Sequence, residues 1–203
     1  MLTDLPMPIY TPRLLIRPPQ IGDGEIINAA IVESYGELKL TMPWAQTCPS
    51  VEETELYIRQ AVANWVLKKN EDPWLPLFIF DRNTHSFIGG TGFHHINWDV
   101  PCLETGYWIR KGASGNGFIA EAINGLTQYA IKEIGAKRIE IRCDITNTES
   151  KKIPERLGFQ LESIVRANRI NPQTKKVSDT LLYTRHNLHE LPELLVSWGD
   201  LLD

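Results

Sequence analysis

The chain has 203 residues, 42% apolar and 23% charged, the proportions of one globular domain with a real core. Its formal net charge of −4 argues against a duplex nucleic-acid binder, which would carry a basic face, and mildly favours a cationic substrate. The three cysteines, Cys48, Cys102 and Cys143, are odd in number, widely spaced and without a C-x-x-C pair, which argues against a disulfide framework or a structural zinc site.

The first residues, MLTDLPMPIYTPR, lack a charged start followed by a long apolar run, so no secretory signal is expected. No stretch approaches the roughly 20 apolar residues of a membrane helix, so no membrane partner is expected. With free thiols, these features point to a reducing, cytoplasmic setting.

Arg13-Leu14-Leu15-Ile16-Arg17 reads as a short strand stopped by Pro18-Pro19. Ile21 to Tyr35 has helical spacing, and Pro43 and Pro49 break the stretch after it. Ser50-x-x-Glu53 is a capping box opening a helix to about Lys69, with Val51, Leu56, Ile58, Val62, Trp65 and Val66 as its apolar stripe. Leu75 to Phe80 and Ser86 to Trp98 form a hairpin around Asp81-Arg82-Asn83-Thr84. Cys102 to Arg110 is the next strand.

A loop of small residues, Gly112-Ala113-Ser114-Gly115-Asn116-Gly117, then opens a helix from Phe118 to about Ile134, closed by Gly135. Arg138 to Cys143 is a strand, and Asn147 caps a short helix ending at Leu157-Gly158. Phe159 to Arg169 and Val177 to Arg185 form a last hairpin around Asn171-Pro172-Gln173. Leu188 to Leu201 reads as a helical tail, and its apolar residues would suit a homodimer contact. The sum is an α/β domain: one mixed sheet with helices on both faces.

Strand, glycine loop and helix together can hold a phosphate, because small residues let an anion approach the first N–H groups of the helix. A Walker A loop is excluded, since Phe118 follows Gly117. A dinucleotide fingerprint survives by spacing, with Ala120 in its third position. It sits past mid-chain, however, with no βαβ unit and no ribose-binding acid where that fingerprint needs them.

Three pieces together resemble the GCN5-related N-acetyltransferase (GNAT) superfamily, and more closely its ribosomal-protein N-acetyltransferase branch. They are Tyr10-Thr-Pro-Arg-Leu-Leu-Ile-Arg17; Glu104-Thr-Gly-Tyr-Trp-Ile109 leading into Gly115-Asn-Gly-Phe-Ile-Ala-Glu-Ala122; and Cys143-Asp-Ile-Thr-Asn-Thr-Glu-Ser150, followed by Glu155-Arg-Leu-Gly-Phe159. The likeness covers about residues 10–187, leaving 188–203 as a C-terminal helical extension.

The resemblance implies a mostly antiparallel sheet in which two central strands splay apart to admit acetyl-CoA. Its pantetheine arm would pair with Trp108, Ile109 and Arg110. Its pyrophosphate would sit on the N–H groups of Gly115, Asn116, Gly117, Phe118 and Ile119. A primary amine, of a protein N-terminus or a small molecule, would attack the thioester directly, with no acyl-enzyme and no metal.

Glu104 is the expected base; alternation along its strand puts Gly106 and Trp108 on the same face. His94 and His95 are rivals for that role, since imidazole titrates near neutrality. As strand neighbours they would face opposite ways, so at most one would enter a given cleft. His95 is grouped with the acceptor side.

Asn147 and Ser150 would contact the pantetheine arm and the departing sulfur. The position where many superfamily members carry an acidic tyrosine is Pro154, and Ser150 is the branch's substitute. Gly112 stands where Gln or Arg is common, with little loss expected because the backbone binds the phosphate. Of Trp44, Trp65, Trp74 and Trp98, Trp44 and Trp98 are expected to wall the acceptor pocket. Two other functions remain open: a non-catalytic acyl-CoA sensor, and an acetyltransferase for small amines such as aminoglycosides or polyamines.

Overall fold

Residues Leu75 to Phe80 are buried at every position, as a strand covered on both faces must be. In the computed structural model, which describes residues 4–67 and 74–199, that strand lies inside a nine-stranded sheet. The strands are β1 (Ile9–Tyr10), β2 (Leu14–Arg17), β3 (Leu75–Asp81), β4 (Phe87–Asn97), β5 (Cys102–Ile109), β6 (Arg138–Asp144), β7 (Gln160–Ile170), β8 (Val177–Arg185) and β9 (Ser197–Trp198). The helices are α1 (Gly24–Thr41), α2 (Val51–Leu67), α3 (Phe118–Tyr129) and α4 (Thr148–Arg156). The sheet order is β7-β8-β6-β5-β4-β3-β2-β1-β9, and every adjacent pair is antiparallel except β5–β6. No described helix is long and apolar enough to cross a membrane.

Alternation along β3 divides the core. Leu75, Leu77 and Ile79 join Ile123, Leu126 and Tyr129 of α3 on one face. Phe78 and Phe80 join Ile27 and Ile31 of α1 and Ile58 of α2 on the other. Helix α3 is buried nearly all round, which makes it the central helix of the domain.

The expected elements mostly form, with shifted limits. Helix α1 starts at Gly24 because the Asp23 carboxylate turns back to take the Gln20 N–H and both Arg17 Nη groups, each at 2.8 Å. The capping box forms: Ser50 N donates to Glu53 Oε2 at 2.7 Å, and Glu53 N to Ser50 Oγ at 3.1 Å. The apolar stripe of α2 is narrower than expected. Ile58 is buried with Thr54 and Ala61, while Val51, Leu56 and Val66 are exposed. The expected end at Lys69 lies outside the described residues.

Two corrections concern topology. First, β5, the glycine loop, α3 and β6 make a βαβ unit, because β6 pairs parallel with β5. Which strands become neighbours is not legible in local spacing. Second, residues 188–199 contain no helix; the chain runs extended and adds β9 to β1. Pro192 cannot donate to a helix ladder. The tail carbonyls instead accept from α3 side chains, Asn124 Nδ2 to Pro192 O at 2.8 Å and Gln128 Nε2 to Leu194 O at 3.0 Å. Leu191, Val196 and Trp198 pack on the chain's own core, so the described tail makes intramolecular contacts rather than presenting an apolar helix to a second copy. Leu201 lies outside the described residues.

Candidate active site

Strands β5 and β6 pair only over Cys102–Glu104 and Arg138–Glu140. Beyond that point β5 stays with β4 up to Ile109, and β6 stays with β8 up to Asp144. The sheet therefore opens into a gap at its centre. A cleft of about 1620 Å³ occupies this region, with Glu104, Gly106, Tyr107 and Trp108 on one side and Arg142, Cys143, Asn147 and Ser150 on the other.

Glu104 stands where the strands part. Its side chain is 14% exposed, its Oε2 lies 3.2 Å from Arg142 Nε, and its Oε1 lies 3.9 Å from His94 Nδ1. Burial raises its pKa above the ordinary carboxylate value, and the charges of Arg142 and His95 pull partly the other way. Glu140, held by Arg138 Nε at 2.6 Å and Arg142 Nη2 at 2.7 Å, moves the opposite way: burial raises its pKa, but those guanidinium bonds outweigh it. The neighbouring carboxylates are thus driven apart, Glu104 upward and Glu140 downward.

The expectation that His94 and His95 face opposite ways is overturned. The β4–β5 register shifts between His94 and Asn97, and His95 adopts a left-handed φ of 48°. A bulge of this kind breaks strict alternation. Both imidazoles line the cleft, their centroids 5.1 Å apart and nearly perpendicular.

Tyr107 sits one residue out of phase with Glu104 and packs on the α3 side of the sheet, while Trp108 packs on the α1 side. Because β6 has parted from β5, residues of both faces reach the gap. Tyr107 Oη donates to the Ser150 carbonyl at 2.7 Å and accepts from Ser150 Oγ at 3.3 Å. Burial pushes the phenol well above its usual range, so it stays a neutral donor. Asn147 Oδ1 accepts from Ser150 N at 3.0 Å, which caps α4 and fixes where Ser150 stands.

Trp108 lies across Gly90, where an added Cβ would come within 2.3 Å of its Nε1. Trp44, in a short turn over Pro43–Gln46, meets Trp108 edge-on at 6.0 Å and lines the cleft. Trp74 lines it too, 5.2 Å from Tyr57. Trp98 does not; it packs against the main core, as does Trp65. Strand spacing could not distinguish a cleft-facing tryptophan from one facing α3.

The remaining expected cofactor residues, Ile109, Arg110, Gly115, Asn116, Gly117, Phe118 and Ile119, follow Trp108 in the chain but do not line this cleft. Gly115 and Gly117 have φ of 80° and 76°, conformations that glycine adopts without strain. The first bond inside α3 is Glu121 N to Gly117 O at 3.1 Å, so the N–H groups of Phe118, Ile119 and Ala120 precede the ladder. Arg13 adds a full charge there. Its Nη1 donates to Asn116 O at 3.0 Å, and its guanidinium lies 4.6 Å over the Phe118 ring. Gly112 N donates to Glu33 Oε1 at 2.8 Å, so the loop's first turn is tied to α1.

Arg13, Tyr107 and Arg142 are the site residues that sequence reasoning missed. Tyr107 carried a misleading signal: alternation sets it on the face opposite Glu104, and only the parting of β5 and β6 brings it to the gap. Arg13 and Arg142 carried none, since each depends on long-range pairing.

The acetyltransferase (GNAT) domain family matches residues 13–160. YdaF of Bacillus subtilis (strain 168), provisionally named a ribosomal N-acetyltransferase, is 35% identical over 81 residues, which are 40% of this chain and 44% of that protein. The uncharacterized N-acetyltransferase p20 of Bacillus licheniformis is 23% identical over 78% of this chain and 85% of its own length. The ribosomal-protein-serine acetyltransferase of Escherichia coli (strain K12) is 26% identical over 64% of this chain and 69% of its own length. Among solved structures, the microcin C7 self-immunity acetyltransferase MccE, in complex with acetyl-CoA and AMP, superposes with a TM-score of 0.76 at 23% identity, covering 87% of this chain and 93% of that one. The ribosomal L7/L12 α-N-protein acetyltransferase RimL, in complex with coenzyme A, gives 0.77 at 19% identity, covering 88% and 96%. At these identities the structural likeness is one of fold, but the domain match spans most of the chain, and the protein belongs to the GNAT acetyltransferase family.

Proposed function

We propose that this chain transfers an acetyl group from acetyl-CoA to a primary amine, of a protein N-terminus or a small molecule, by direct attack in a ternary complex. The observation that carries the reading is the parted β5–β6 pair, with a burial-shifted carboxylate on one side of the gap and a serine–tyrosine hydroxyl pair on the other. Acetyl-CoA's occupancy of family-fold structures such as MccE supports the choice of co-substrate.

In this reading the pantetheine arm lies along Trp108, Ile109 and Arg110, reaching past Asn147. The pyrophosphate meets the N–H groups of Gly115, Asn116, Gly117, Phe118 and Ile119, beside Arg13. The amine approaches from the side of Trp44 and His95. The cleft as a whole favours a cation: its lining carries Glu37, Glu53, Glu104, Glu140, Asp144 and Glu149 against Arg142 and Arg169.

Glu104, ionised, takes the proton as the amine nitrogen bonds to the thioester carbon. The tetrahedral oxyanion collapses, the C–S bond breaks, and the thiolate takes a proton from Ser150 Oγ. As Ser150 Oγ turns its proton from Tyr107 Oη to the sulfur, Tyr107 Oη turns its own from the Ser150 carbonyl to the serine oxygen, steadying the alkoxide until solvent reprotonates it. A serine is a weak acid alone, and the second hydroxyl spreads the developing charge.

The test is acetyl-CoA-dependent thiol release with a panel of N-terminal peptides, polyamines and aminoglycosides. Turnover with at least one amine is expected. Tight acetyl-CoA binding with no turnover on any of them would leave a binding module and sink the catalytic reading.

A further inference from the structure

The gap between β5 and β6 also gathers a set of metal-ligating side chains. His94 and His95 of β4 and Glu104 of β5 each present a ligand atom within 4.8 Å of the other two. A regular strand would send the two imidazoles to opposite faces; the bulge and the left-handed φ of 48° at His95 turn both toward the carboxylate. Glu104 divides its oxygens, Oε2 toward Arg142 Nε at 3.2 Å and Oε1 toward His94 Nδ1 at 3.9 Å. One oxygen thus faces the histidines while the other keeps its ion pair.

We propose that His94, His95 and Glu104 bind a divalent transition cation of the zinc class, and that the bound ion closes the acceptor side of the gap.

The donor set chooses the ion. Two imidazoles and one carboxylate suit zinc, cobalt or nickel, with a fourth position left to water, whereas magnesium and calcium demand oxygen ligands. Ligands about 2.1 Å from a shared ion stand at most about 4 Å apart, so about an ångström of side-chain rotation closes the set. His95 is exposed and His94 partly so, and both can make that adjustment without moving β4. Arg142 opposes a cation, but its charge is shared with Glu140, which takes its Nη2 at 2.7 Å.

Metal binding stands on this geometry alone. Its effect on catalysis rests on the transferase reading: an ion on Glu104 Oε1 takes the lone pair the amine's proton would use. Zinc would then act as an inhibitor competing with the amine and leave acetyl-CoA binding intact.

The test uses the full chain, stripped with chelator and titrated with Zn²⁺ by calorimetry and with Co²⁺ by visible absorption. One equivalent should bind the wild type. His94→Ala and Glu104→Gln should each weaken binding by at least the roughly 10–100-fold that even an outer-shell loss costs. His95→Asn should weaken it too, while keeping a residue that tolerates left-handed backbone. Retained acetyl-CoA binding certifies the fold of each variant. No binding to the wild type, or equal binding to all four proteins, overturns the proposal. Zinc binding in a chain that acetylates no amine upholds the site and sinks the transferase reading instead.

Discussion

Tyr107 Oη donates a 2.7 Å hydrogen bond to the carbonyl of Ser150 and accepts one from its hydroxyl at 3.3 Å, linking β5 to α4 across the split in the sheet. Removing the phenol oxygen alone should do two things. Tyr107→Phe should cost about 1 kcal/mol of stability for the lost hydrogen bond. It should also lower kcat by about tenfold or more, with little change in KM for acetyl-CoA, because in the proposed reaction the hydroxyl pair acts on the departing sulfur. Ser150→Ala should remove the same step, so the double variant should fall no further than the worse single one. Additive losses would show that the two hydroxyls act separately.

In the proposed reaction Glu104 sets the dependence on pH. Burial raises its pKa above the ordinary 4.5, and the base must be ionised to work. The rate should therefore rise with pH through a value above the ordinary one. Glu104→Gln should lower kcat/KM by about 10²–10⁴-fold and flatten that limb. Arg142 pulls the pKa down, so Arg142→Ala should move the wild-type limb to higher pH. Stability carries the complementary sign. A raised folded-state pKa contributes stability present below pH 4.5 and lost as pH rises through the folded value. The melting temperature of Glu104→Gln should accordingly gain on wild type over that window, and a constant difference would refute the assignment.

Most elements were legible because their signals are local. The capping box at Ser50 and Glu53, the stop at Gly135 and the Asn147 cap each depend on residues a few positions apart. The alternation that placed Glu104, Gly106 and Trp108 together also held, since β5 has no bulge over those residues. What failed needed distant partners. The bulge at His95 comes from a register shift against β5; the extended tail comes from Asn124 and Gln128, more than 60 residues upstream. The ion pair between Glu104 and Arg142 exists only because β6 lies beside β5, a neighbour relation no motif in either strand encodes.

Glu121 ties the glycine loop to the first strands. Its carboxylate accepts from Thr11 Oγ1 at 2.6 Å, Arg13 N at 3.0 Å and Arg13 Nε at 2.6 Å. Arg13 in turn donates to Asn116 O, so the brace reaches the loop that would hold the pyrophosphate. Arg13 is 46% exposed, and solvent screens much of the charge term. Glu121→Ala should therefore cost only about 1–2 kcal/mol of stability, measured by denaturant unfolding. The same change should weaken acetyl-CoA binding by roughly three- to tenfold, the equivalent of about 1 kcal/mol, because Arg13 loses its anchor. Unchanged affinity would mean that the loop holds its shape without Arg13.

Trp44 offers a way to separate acceptor binding from chemistry. It is half exposed, stands on the turn that follows α1, and meets Trp108 edge-on at 6.0 Å. No core depends on it, since Trp108 also packs on Phe87 at 5.4 Å. Trp44→Ala should thus leave the melting temperature nearly unchanged. It removes one wall of the proposed acceptor side but touches neither Glu104 nor the Ser150–Tyr107 pair. KM for the amine should rise by about five- to thirtyfold, the equivalent of roughly 1–2 kcal/mol of lost apolar contact, while kcat changes little. A fall in kcat with KM held constant would instead place Trp44 against the reacting atoms, and the amine would have to enter from the side of the β7–β8 hairpin.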